Sequence, residues 1–71
     1  MPTETNAPPR ILRLPAVEER TGLKRDSIYR KARLGEFPAP VKLGARASGW
    51  VQTEIDEWVA GRIAARSAKR A

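Results

Sequence analysis

Seventy-one residues with no cysteine and no histidine exclude disulfide frameworks, zinc centres of the Cys/His type and histidine-based catalysis. A chain this short buries only about 60% of the surface its unfolded form exposes, which suits one small domain and no multi-domain enzyme. Fourteen Lys+Arg against eight Asp+Glu give a net charge of +6 and a pI near 10.8, a balance that favours a polyanionic partner, nucleic acid first.

Residues 1–9 hold three prolines, a single charge and no apolar period, and read as a disordered leader. They have neither the basic start nor the apolar stretch of a signal peptide, and no segment reaches the ~20 apolar residues of a membrane span. The expectation is a soluble, cytoplasmic, nucleoid-associated protein that touches no membrane. The predicted domain occupies 10–61. Ile11 to Leu14 is a short apolar lead-in to Pro15, a residue that suits the first turn of a helix. The stretch PAVEERT predicts a two-turn helix that buries Val17 and ends at Gly22, with Leu23 as an apolar plug. A second helix is predicted over Arg25 to Leu34, with Ile28 and Ala32 on its inner face, stopped by Gly35 and by the prolines of FPAP. Two short helices joined at Gly22-Leu23-Lys24 have the form of a helix-turn-helix.

Beyond Pro40 the period becomes two. Val41-Lys42-Leu43, a turn over 44–49 and Trp50-Val51 predict a small β-hairpin. Thr53 with Asp56 resembles a capping box opening a third helix, with Glu54, Asp56 and Glu57 in its first turn and Ile55, Trp58, Val59 and Ile63 as its apolar stripe. Gly61 weakens that helix, so 62–71 is a basic tail or a helix extension, with Arg62, Arg66, Lys69 and Arg70 solvated or directed at phosphate. The fold class expected is mainly α with a small β-hairpin, a winged helix-turn-helix. Its core is predicted from Leu12, Leu14, Val17, Leu23, Ile28, Phe37, Val41, Leu43, Trp50, Ile55, Trp58 and Val59.

The densest chemical signal runs from Lys24 to Arg33, where five of ten residues are basic. On the second helix of such a motif this stretch would enter a major groove. With Ile28 and Ala32 turned inward, Asp26, Arg30 and Arg33 form the outer stripe, flanked by Ser27 and Lys31. Base reading falls to Asp26, Ser27, Arg30 and Lys31: Arg30 can take guanine O6/N7 bidentately, and Asp26 can accept from cytosine N4. Lys24, Arg25, Tyr29, Arg33 and Lys42 are the phosphate candidates. Arg46, at the hairpin tip, suits a minor groove, although an exposed turn arginine has the same sequence. The bland reading of the whole stretch is a solvated charged face with Asp26 as a helix N-terminal anion. Trp50 and Trp58 read as core rather than as stacking surfaces for single strands. Tyr29 or Ser27 as a recombinase nucleophile needs a far larger scaffold, so no enzyme, cofactor, metal or small-molecule ligand is expected.

The pieces Arg10 to Pro15, Thr21-Gly22-Leu23, Ser27 to Arg30, Gly35 to Pro38, Pro40 to Gly44, Gly49-Trp50 and Glu54 to Trp58 resemble, in this order, the AlpA family of prophage regulatory proteins. Those proteins are related to phage excisionases and to MerR-like winged-helix domains. The resemblance covers roughly 10–62 and implies a bacterial or phage DNA-binding regulator of transcription, often of an integrase gene. The alternative it carries is an excisionase, a recombination directionality factor that bends attachment-site DNA for an integrase. From another class, a basic protein-interaction module remains open. Double-stranded DNA is the expected partner, joined by an integrase or by a second copy on the DNA. Three places depart from the family's pattern: Lys24 stands for a capping Ser or Thr, Asp26 for a small hydroxyl residue, and Ala45 with Ser48 for a Pro and an aliphatic in the wing.

Overall fold

The structure, a computed structural model, describes residues 10–70, of which 67–70 are described by backbone alone. The predicted leader lies outside the described residues. In chain order the elements are β1 (Ile11–Leu12), α1 (Leu14–Thr21), α2 (Arg25–Arg33), β2 (Val41–Gly44), β3 (Ala47–Val51) and α3 (Gln52–Arg70). Three helices and a small antiparallel sheet form a mainly helical winged helix-turn-helix.

The apolar lead-in is a strand. Ile11 pairs with Val51 and Leu12 with Trp50, so β3 lies between β1 and β2 in a three-stranded sheet. Two residues are too few for alternation to show in the sequence, and the partner is forty residues away. The amide of Gln52 extends the pairing by donating to the Arg10 carbonyl at 2.8 Å. Close approach of β1 to β3 depends on Gly49, because a Cβ there would run into Ile11 Cγ2 and stand 3.0 Å from the Leu12 carbonyl oxygen. Gly49 therefore belongs to the strand and not to the turn, which is the tighter Ala45-Arg46. One extra residue on β2, between the Lys42–Ser48 and Gly44–Ala47 pairs, makes a bulge at Leu43.

Both helices of the motif end on glycines at positive φ, Gly22 at 77° and Gly35 at 78°. At the second, the Glu36 amide donates to the Lys31 carbonyl (2.8 Å) and the Gly35 amide to that of Ala32 (3.2 Å), the paired bonds of a Schellman ending. The core takes one residue from each part of the body: Leu12 from β1, Val17 from α1, Ile28 from α2, Phe37 from the α2–β2 connection, Trp50 from β3 and Ile55 from α3. Leu14, Leu23 and Trp58 are half-buried against it, and Val59 is half-buried on α3. Ala16, Tyr29 and Ala32 join them.

Three predicted apolar positions are not core. Val41 and Leu43 are 38% and 46% exposed, since β2 is an edge strand with its packing on β3. Ile63 is 53% exposed, because the body ends before it. The capping box does not form as expected. α3 starts at Gln52, directly out of β3, which puts Thr53 inside the first turn. Only Glu54 of the three acids lies in that turn, and Asp56 accepts instead from Arg20 Nη1 at 2.9 Å, tying α3 to α1. Gly61 does not interrupt the helix, which runs on to Arg70.

Candidate nucleic-acid interface

The turn of the motif is fixed by a side chain that composition and period do not single out. Thr21 donates its hydroxyl to the Val17 carbonyl (2.8 Å) and accepts the Leu23 amide (3.2 Å). It thereby holds Leu23 over the core and sets where α2 begins. A Ser or Thr at the last helical residue before Gly-Leu is the signal that would have found it. Lys24 is the N-cap of α2 and has no acceptor to offer, so no side chain caps the helix.

α2 is anchored on one side by Ile28, fully buried, and by Ala32. Its opposite side carries Asp26, Arg30 and Arg33, all exposed, with Ser27 and Lys31 half-buried on the flank. Lys24 and Arg25 are exposed at its start. The helix thus brings eight of the ten candidate residues together on or beside one element. Among the described residues the ion pair is Arg20–Asp56, so no described residue neutralises the cations of α2, and they keep their field toward solvent. Arg30, Lys31 and Arg33 sit in the last turn, where the helix dipole favours cations, and Asp26 sits in the first, where it favours an anion.

Tyr29 is half-buried, its ring 5.7 Å from that of Trp50 and tilted by 57°. This contact joins α2 to the central strand. Trp50 is itself locked, with no exposed surface and its indole N–H donating to the Pro38 carbonyl at 2.9 Å. The remaining two candidates, Lys42 and Arg46, are exposed on the β2–β3 hairpin, Arg46 in its two-residue turn. Arg13, which sequence reasoning passed over, donates from Nε to the Ser48 carbonyl at 3.0 Å and so fixes the hairpin to the start of α1. Among the described residues no cluster of carboxylates, histidines or cysteines could hold a metal ion, and no helix is long and apolar enough to cross a membrane.

A family model described as the prophage CP4-57 regulatory protein (AlpA) matches residues 10–63, from β1 into the outer part of α3. This chain belongs to the AlpA family. It is 44% identical over 66 residues to the uncharacterized ORF88 protein of Enterobacteria phage P4, covering 93% of this chain and 75% of that one. It is also 44% identical over 59 residues to the DNA-binding transcriptional activator AlpA of Escherichia coli K12, covering 75% of this chain and 84% of the relative. No solved structure gives a significant match. The AlpA-family match spans every element that positions the interface, the Thr21 turn and Gly49 included.

Proposed function

We propose that this AlpA-family chain is a sequence-specific duplex-DNA-binding regulator of transcription acting on prophage or mobile-element genes, and not an enzyme. The observation that carries the reading is α2: five cations and one carboxylate between Lys24 and Arg33 on a helix bolted to the core through Ile28. The E. coli relative, a DNA-binding transcriptional activator by name, supports it. In this reading α2 enters the major groove. Asp26, Ser27, Arg30 and Lys31 face base edges, and Lys24, Arg25, Tyr29, Arg33 and Lys42 hold phosphates. Arg46 lies in or beside the minor groove, where a narrow groove concentrates negative potential. A rigid seat for α2 matters because base reading needs donors held in place, and the Tyr29–Trp50 contact keeps helix and hairpin in one register. One small module spans few base pairs, so selectivity requires repeated sites or adjacent copies.

The test is a salt titration of binding to duplexes from upstream of its own gene and of a neighbouring integrase gene, against a shuffled duplex. Four neutralised phosphates, at Lys24, Arg25, Arg33 and Lys42, predict a log–log slope of about −3.6. Arg30→Ala should cost about 1–3 kcal/mol on the preferred duplex and flatten selectivity, while Arg33→Ala weakens all duplexes alike and makes the slope shallower by about 1. Equal loss of selectivity in both variants would overturn the assignment of readers and holders. Binding without preference for any duplex would leave only a basic surface.

A further inference from the structure

α3 is divided by charge and by packing. Its first half carries Glu54, Asp56 and Glu57 and packs on β3 and α1 through Ile55. From Ala60 to Arg66 every residue is exposed, and this outer part carries Arg62 and Arg66 with Ile63 half uncovered. On a helix of 3.6 residues per turn, Arg62, Ile63 and Arg66 fall within one arc of roughly 100°, continuous with Ile55 and Val59 below. The stripe that meets the body lower down therefore continues past it with no described residue covering it.

Elsewhere on the molecule is a surface with the opposite character. An open groove runs between α3 and the segment leading into β2, lined by Pro38, Ala39, Val41, Glu54, Glu57 and Trp58. Its floor is apolar and its α3 wall carries two exposed carboxylates. It lies at the base of the hairpin, away from the Arg46 turn. The carboxylates repel phosphate, so nucleic acid is a poor occupant. An aliphatic side chain flanked by two guanidiniums is a good one, and the outer part of α3 is such a segment. Along a helix axis Arg62 and Arg66 are spaced by about 6 Å, and Glu54 and Glu57 by about 4.5 Å, so both pairs can meet at once. The chain's own arginines do not pair with these glutamates: among the described residues the ion pair is Arg20–Asp56, and Arg62, the nearer arginine, points about 140° away from Glu57 around the helix.

We propose that the outer part of α3 docks in the Pro38–Val41/Trp58 groove of a second copy, with Ile63 on the apolar floor and Arg62 and Arg66 on Glu54 and Glu57, so that copies associate head to tail. The contact is heterologous, so it repeats from copy to copy. One helix face on one groove is a small interface and associates weakly in free solution. The inference does not rest on the DNA-binding reading, since it concerns the free chain.

The experiment is sedimentation equilibrium of the full chain without DNA, up to about 1 mM, where a contact of this size registers. The chain should self-associate, less so as salt screens the pairs. Glu54→Lys/Glu57→Lys and Arg62→Glu/Arg66→Glu should each be monomeric, and their equimolar mixture should associate again, because each contact then finds its opposite charge. The arginine variant changes exposed residues outside the core and keeps the test valid even where the glutamate variant folds poorly. A monomeric parent chain at about 1 mM overturns the proposal, as does a parent whose association survives both reversals. So does an arginine variant that loses affinity for a single-site duplex with its self-association unchanged, which would assign that face to phosphate.

Discussion

Val17, Ile28, Trp50 and Ile55 have no exposed surface, whereas Val41, Leu43 and Ile63 are 38%, 46% and 53% exposed. The two sets are alike in residue type and stand at the same periodicities in the sequence. The first set sits in the body, where α1, α2 and α3 close over β3; the second sits on two projections, the edge strand β2 and the outer turns of α3. Periodicity reports which side of an element is apolar. Whether another element lies across that side depends on topology, and the projections are where this chain presents apolar and cationic groups to something else.

The largest expected effect lies at the centre of the body. Trp50→Ala removes a fully buried indole, its ring contact with Tyr29 and its hydrogen bond to Pro38, at a cost of about 3–5 kcal/mol. Total stability for a chain of this length is about 4–10 kcal/mol, so the variant should lose from about a third to all of it, read as a strongly lowered midpoint or no folded state in thermal and urea melts followed by circular dichroism. Trp58 gives the contrast. It is half-buried, packs edge-on against Phe37 at 4.8 Å and donates to the Glu36 carbonyl at 2.8 Å. Trp58→Ala should cost about half as much and leave a cooperative transition. Equal costs would break the division between body and periphery.

Gly49→Ala probes where the body meets the hairpin. The added methyl has Ile11 Cγ2, the Leu12 carbonyl and Leu43 Cδ1 in its way, the last at 3.2 Å. Leu43 is exposed enough to move, but Ile11 Cγ2 is a branch at Cβ held close to the strand and the Leu12 carbonyl is backbone, so β1 cannot yield without straining its pairing to β3. A cost of about 1–3 kcal/mol is expected, with amide protection at Leu12 and Trp50 falling more than protection in α2. Unchanged protection of β1 would mean that the strand gives way without loss, and that Gly49 has no packing role.

Much of this architecture was legible in the residues. Gly22 and Gly35 end helices because left-handed backbone favours glycine, and the patterns around Val17, Ile28 and Ile55 placed three helices facing inward. The basic outer face of α2 followed from the same pattern. What was hidden is non-local: β1 has two residues and a partner forty positions away, and Gly49 is needed by a neighbour that the local sequence does not contain. Asp56 looked like the partner of Thr53 because they are three apart, yet Arg20, far off in the sequence, claims it. Backbone-directed roles such as Thr21 in the turn and Arg13 on Ser48 leave no mark in composition or charge.

The smallest effect tests the periphery alone. Gly61 is the second residue of the exposed part of α3 and has helical backbone and open space around the position of a Cβ. Alanine there restricts the unfolded chain and favours the helix by up to about 1 kcal/mol, while its methyl touches nothing in the body. If the outer turns form and melt independently of the core, that stabilisation stays in them alone. Ellipticity at low temperature and amide protection over 62–66 should rise, while the midpoint of the cooperative transition barely moves. A midpoint shifted by the full amount, roughly 4–8 °C for a domain this small, would show that α3 melts as a single unit with the body. The outer turns would then be part of the cooperative fold despite their exposure, and burial would be a poor guide to where this domain's cooperativity ends.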